Sequence, residues 1–252
     1  MNRKPFFLAA SIVITISIAF SITYATAPDQ NAKSPDPTLS KITFIHFKKA
    51  PEKPPFANPG KGKQSSGVYG YIAKGAKWKV TEDILLNPTC NDGSMDDLVI
   101  NAVLAGLNEW ETADGTANLT IFGNVDINDT VSYDDGAFRG YNTISFGHYS
   151  TPNVIAITTI WGIFSGPIAN RQITEVHILM NDDFVWGDAA ANPAVMDIQN
   201  IVTHELGHWA GMDDIYETLG KEETMYGYST EGETKKRDLY KGDIAGITGL
   251  YK

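Results

Sequence analysis

Apolar and polar positions follow three regimes along the chain. Residues 6–24 form one uncharged, mostly apolar run that begins just after Asn2, Arg3 and Lys4 and ends in small residues, the pattern of a secretory signal. Thr23 and Ala25 supply the small pair for a cut after Ala25, so 1–25 reads as a signal peptide. The run is 19 residues long, against the about 20 needed to cross a bilayer, and an uncleaved N-terminal anchor stays open as the alternative. Residues 26–75 show no sustained period. Seven of the twelve prolines lie in 26–66, Pro54-Pro55 and 58–67 read as linker, and only 42–47 has the β-rich character of a short strand. From 76 onward the periods become regular. Residues 78–86 predict a first strand closed by Asn87 and Pro88. A capping-box-like start at Ser94 leads into a helix whose Val99, Val103, Gly106 and Trp110 share a face. The stretches 119–125, 143–146, 154–161 and 173–180 are β-rich runs between Gly, Asn and Asp turns. A second helix is expected to start with Asn192 as its cap and Pro193 in its first position. Ile198, Val202, Leu206 and Trp209 form its apolar stripe, and Asn200, His204 and His208 lie on another face.

Composition narrows the class. The chain has 252 residues, 42% apolar and 20% charged, with a formal charge of -10; one globular domain with appendages fits. An acidic chain is a poor partner for phosphates, so no nucleic-acid role is expected. The charge is split: 26–77 carries nine basic and three acidic residues, and 78–252 carries nine basic and twenty-seven acidic. The basic 26–75 segment is therefore either a solvated tether or a pro-segment that lies on the acidic domain and is displaced on activation. The single cysteine, Cys90, leaves any metal to His and carboxylates.

His204-Glu205-Leu206-Gly207-His208 is where chemistry concentrates. Residues four apart on a helix are neighbours, so both imidazoles can reach one ion, and zinc favours such nitrogens. Glu205, one step round, is placed to take a proton from a water activated by that ion. Gly211 can end the helix in a left-handed turn and let the chain swing back so that Asp214 faces the same ion. Met225 follows in Thr224-Met225-Tyr226-Gly227.

The run His204-Glu205-x-x-His208-x-x-Gly211-x-x-Asp214 with this later Met-turn resembles the metzincin zinc metallopeptidases, and among them the matrixins. Ala76-Lys77-Trp78, Leu107 to Glu111 and the closing 243–251 stretch resemble matrixin catalytic-domain signatures as well, so the likeness covers about 77–252. Asp214 stands where most matrixins have His, and the pro-domain cysteine of the family has no counterpart; Cys90 is expected in a loop, away from the metal. The resemblance implies an α+β, metzincin-like catalytic domain over 76–252: a twisted five-stranded mixed sheet, two long helices and a small C-terminal subdomain ending in a helix, with Tyr240, Ile244, Ile247 and Tyr251 as that helix's apolar face. It implies catalytic zinc on His204, His208 and Asp214, Glu205 as general base, and Met225 as an apolar floor beneath the histidines. Tyr228 is a candidate for a transition-state hydrogen bond, although its offset differs from the usual tyrosine. Strand 154–161 either aligns an extended peptide as a sheet edge or is a plain interior strand.

The activity so implied is that of a secreted, extracellular zinc endopeptidase acting on extended polypeptides, as a monomer, with no membrane contact unless the N-terminal segment stays uncleaved. Asp182, Asp183 and Asp188 could hold a structural calcium ion. Glu175 and His177 share a strand face and read as an ordinary exposed pair, with a structural zinc site as the alternative, and His46 and His148 have no companions at ligand spacing. The alternatives are a catalytically silent extracellular binding or adhesion module on the same fold, and a zinc peptidase of another clan with Glu222 or Glu223 as third ligand.

Overall fold

Two ten-residue runs rich in β-branched side chains, Val154–Ile163 and Gln172–Asn181, pair antiparallel at the centre of a six-stranded sheet. The computed structural model describes residues 38–48, 68–90, 94–115 and 119–252; the signal or anchor segment, its cut site and most of the proline-rich stretch lie outside these residues. In chain order the strands are β1 (Ser40–Phe47), β2 (Gly70–Tyr71), β3 (Ile84–Leu86), β4 (Val125–Ile127), β5 (Asn142–Gly147), β6 (Val154–Ile163), β7 (Gln172–Asn181), β8 (Trp186–Gly187), β9 (Met196–Asp197) and β10 (Met212–Asp213). The large sheet runs β1-β6-β7-β5-β3-β4. β6 is antiparallel to both its neighbours, and the β7-β5-β3-β4 pairings are all parallel. β3 to β7 make up the five strands of the catalytic part and the sheet is mixed as expected, but the expected 78–86 strand is formed only at 84–86, and the expected 119–125 strand meets β4 only at Val125. The sixth comes from the basic N-terminal segment. It takes the edge beyond β6, so β6 is interior here.

Among the described residues three α-helices complete the fold: α1 (Asp96–Glu111), α2 (Ile198–Trp209) and α3 (Lys241–Tyr251). α1 and α2 pack against each other and the sheet in one apolar core, and the Trp110 indole N–H donates to Thr203 O at 2.8 Å. On the opposite sheet face Val154, Ile157 and Leu179 form a smaller cluster covered by Ile45, Phe47, Tyr133 and Tyr149. α2 starts at Ile198, later than the Asn192-Pro193 signal suggested. The reason is Asp197, whose fully buried carboxylate accepts from Ala189 N and Asn200 N and pairs with Arg237. These bonds hold the chain extended in β9 until the true cap is reached, while Asn192 caps only a local turn at Ala194. No helix among the described residues is long and apolar enough to cross a membrane.

α3 docks by specific polar contacts: Tyr71 Oη donates to Gly246 O at 2.8 Å, Lys77 Nζ to Leu250 O at 2.5 Å, and Tyr251 Oη to Ala210 O at 3.0 Å. Its N-terminus is tied to the Met-turn by two adjoining buried carboxyls. Asp243 accepts from Thr224 N, Met225 N and Tyr240 N, and Glu223 accepts from Gly242 N and Asp243 N. Burial, and after it the neighbouring Asp243, pushes the Glu223 carboxyl up to about 7. Folding therefore favours the neutral form. The stability it brings is complete below the unfolded carboxyl's ordinary range and is lost as pH rises through about 7. Glu223→Gln, neutral at every pH and able to keep the same acceptor oxygen, is expected to leave Tm unchanged at pH 5 and raise it by about 2–4 °C at pH 8. Scanning calorimetry at the two pH values checks this; an identical fall between pH 5 and 8 in both proteins contradicts it.

Candidate metal centre and active site

The polar face of α2 is buried: His204 and Glu205 are 0% exposed and His208 1%. Such groups are tolerated inside a protein only when each is satisfied. Two nitrogens are satisfied by main chain, His204 Nδ1 donating to Thr224 O at 2.7 Å and His208 Nδ1 to Met212 O at 3.0 Å. Those bonds place the ring protons on Nδ1 and leave the Nε2 lone pairs facing each other across a shared space, the arrangement that orients metal-binding imidazoles.

Gly211 supplies the third donor. Its φ of +100° turns the chain back just after α2, and a Cβ there would come 2.5 Å from Ala76 O, so glycine is required on both counts. The reversed chain pairs β10 with β2 and delivers Asp214. Asp214 Oδ1 lies 3.3 Å from His204 Nε2 and 3.5 Å from His208 Nε2. A tetrahedron with arms of about 2.0–2.1 Å has edges of about 3.3–3.4 Å, so the two separations from Asp214 Oδ1 are close to those between ligands of one zinc ion. His204 Nε2 and Asp214 Oδ1 are both buried and engaged in no hydrogen bond, which fits a role as metal donors. Tyr216 Oη donates to the other oxygen, Asp214 Oδ2, at 2.8 Å.

Burial, reinforced by Lys236, holds the His204 imidazole down to about 4, in its neutral, ligating form. Burial works against charge on Asp214 as well, but His208 and His204 outweigh it and keep the carboxyl well below its ordinary range. Glu205 points to a different set of partners: Oε2 accepts from Thr158 Oγ1 at 2.6 Å and Oε1 from His46 Nδ1 at 2.9 Å. Burial pushes its carboxyl up to about 7.

His46 belongs to β1, which lies directly over the centre. Opposite residues of paired strands share a sheet face; Phe44 faces Thr158 and His46 faces Ala156 in the β1–β6 register, and both rings project toward α2. Phe44 stacks on His208 with ring centroids 3.9 Å apart, and His46 lies 4.1 Å from the His204 ring. Beneath His46 lies Lys236, fully buried, its Nζ 3.4 Å from His46 Nε2 and donating to Tyr226 O and Tyr228 O. Burial holds its ammonium down to about 8. On its outer side β1 meets the 226–229 segment, where Phe47 bridges Tyr228 and Ser229 N donates to Phe47 O at 3.3 Å.

Met225 is fully buried against the helix turn between the two histidines: a Cβ on Gly207 would come 2.1 Å from Met225 Sδ. Tyr228 packs its ring against Tyr216 and Tyr226. Glu223 is engaged with Gly242 and Asp243, and Glu222 is exposed, so neither glutamate approaches the histidines. The calcium expectation is not supported: Asp188 pairs with Arg237, while Asp182 and Asp183 group instead with His148. His148 and His46 thus both have companions, contrary to expectation; those of His46 are His204 and Glu205. Glu175 and His177 are buried, not exposed. Glu175 accepts from Arg139 N and Gly140 N, and His177 joins Glu175 to Thr143. Cys90 is buried in the core. Sequence reasoning missed His46, Thr158, Tyr216 and Lys236.

The matrixin family model matches residues 143–252. Among solved structures the chain is similar to metalloproteinase-II from Bacteroides fragilis, with 12% identity and a TM-score of 0.38, over 76% of this chain and 59% of that one. The chain thus spans about three-fifths of that protein, a likeness too slight to bear on activity. No curated protein matches. Residues 143–252, α2 and the Met-turn included, are thus similar to the matrixins, a family of zinc-dependent metallopeptidases.

Proposed function

We propose that the chain is a secreted zinc endopeptidase that hydrolyses extended polypeptides. One observation carries this reading: His204, His208 and Asp214 converge at the edge lengths of a zinc tetrahedron, with a buried glutamate on the adjoining helix position. When bound, zinc supplies a Lewis acid that polarises a peptide carbonyl and makes a water molecule acidic enough to attack near neutral pH.

The chain's own residues do the rest. Glu205 takes the proton from the attacking water and returns it to the departing amine, a task suited to a carboxyl whose proton affinity burial has raised to about 7. Thr158 holds Oε2 of that carboxylate and fixes its orientation. The carbonyls of Thr224 and Met212 hold the two imidazoles in ligating tautomers, and Met225 closes the floor beneath them. Secretion is supported by the N-terminal pattern of a charged start followed by an apolar run. The 26–75 segment is a pro-segment on this reading, with the remaining chain as the catalytic part.

The test is elemental analysis of the purified chain alongside hydrolysis of an internally quenched peptide pool. One zinc per chain is expected, with hydrolysis abolished by a chelator and restored by added zinc, and unaffected by serine- and cysteine-directed reagents. Metal-free protein that hydrolyses at the same rate would sink the proposal.

A further inference from the structure

We propose that β1 is an intramolecular inhibitor: Ser40–Phe47 is seated where an extended substrate would lie, and His46 disarms the site by capturing Glu205. This rests on the peptidase reading above.

A peptidase must bring its reacting groups into contact with a substrate backbone. Here His204, Glu205 and His208 are at most 1% exposed, and what closes them off on the sheet side is β1. Its eight residues pair antiparallel with β6 from Ser40–Gly162 to Phe47–Val154. Its far end is held by the 228–229 main chain. A strand held on both sides by main chain is how an extended peptide is bound by addition to a sheet edge, with side chains then selecting the register. β6 becomes an edge once β1 leaves.

The side chains make the seat inhibitory. Both Glu205 oxygens are already occupied, one by the Thr158 hydroxyl and one by His46. The His46 ring, 2.9 Å from Oε1, occupies the place from which a water would give that oxygen its proton. Phe44 lies flat on His208 and excludes a carbonyl from above the ligand ring. Lys236, reaching from the opposite wall, donates to the other nitrogen of His46 and fixes its ring. Lys48 closes the strand's end with an ion pair to Glu231 at 2.6 Å, in line with a basic segment lying on an acidic domain. No thiol is involved.

The experiment uses the full-length, zinc-loaded chain. Phe44→Ala with His46→Ala is expected to raise hydrolysis of the quenched peptide pool at least tenfold. It should also speed amide exchange across 154–163 relative to wild type. On that background, Thr43→Cys with Thr159→Cys places two thiols on directly opposed residues whose hydroxyls stand 3.3 Å apart, within the span a disulfide bridges. The oxidised form is expected to fall back to the wild-type rate, and the reduced form to recover. If the double variant does not fold, His46→Gln carries the same two readouts with a polar group kept in the seat. Wild-type hydrolysis equal to that of the variants, or an oxidised form as fast as the reduced one, overturns the inhibitory role. Hydrolysis by none of the zinc-loaded forms, with exchange behaving as expected, overturns the peptidase reading instead.

Discussion

Glu205→Gln, measured in the chain carrying Phe44→Ala and His46→Ala, is expected to lower kcat at least 10²-fold while zinc stoichiometry stays at one. General-base contributions are typically 10² to 10⁴, and glutamine keeps the shape and the oxygen that accepts from Thr158 while losing the ability to take a proton. KM should move little, because the interaction removed is one made in the transition state. Tm should not fall: a neutral amide is easier to bury than a carboxyl that burial already pushes up to about 7. This combination separates a proton-transfer role from a structural one, which would lower Tm and zinc content together. Retention of more than a tenth of the turnover assigns the proton transfer to another group.

Short-range spacing explains most of what the sequence disclosed. His204 and His208 are four apart on a helix and Gly211 has the backbone freedom to reverse the chain, so the approach of Asp214 follows from local geometry. β5, β6 and β7 were legible because their β-rich runs are bounded by turn residues, whereas the runs at 78–86 and 119–125 overstated or misplaced the short β3 and β4. Misreadings arose where a distant partner decided the outcome. Asn192-Pro193 has every local mark of a helix start, yet Asp197 caps α2 because Arg237, forty positions on, pairs with it. Glu175 and His177 alternate like an exposed pair but are sealed by main-chain donors from 139–140. His46 and Glu205 are 159 positions apart, and no periodicity relates them. A lysine such as Lys236 reads as solvated in any sequence; only three acceptors meeting in one buried place reverse that reading.

Asp214→Ala is expected to abolish most of the stabilisation that zinc confers. Two imidazoles alone leave an ion with half a tetrahedron of protein donors, and a loss of affinity of at least 100-fold, about 2.7 kcal/mol, is the scale to expect. Ligand linkage makes this visible without any substrate. At free zinc 100 times the wild-type dissociation constant, binding stabilises the folded state by about 2.7 kcal/mol, and a 100-fold weaker site leaves about 0.4 kcal/mol. The zinc-induced rise in Tm should therefore nearly vanish in Asp214→Ala. Asp214→His, which restores a third nitrogen, should retain most of it. Tyr216→Phe removes only the hydroxyl that steadies Asp214 Oδ2, and loss of such an outer partner typically costs 10- to 100-fold in metal affinity. Its zinc-dependent shift should fall between wild type and Asp214→Ala. An alanine variant that takes up zinc with wild-type affinity would show that another group completes the site, and the 3.3 Å and 3.5 Å convergence on Asp214 would then be an ion pair of the metal-free protein.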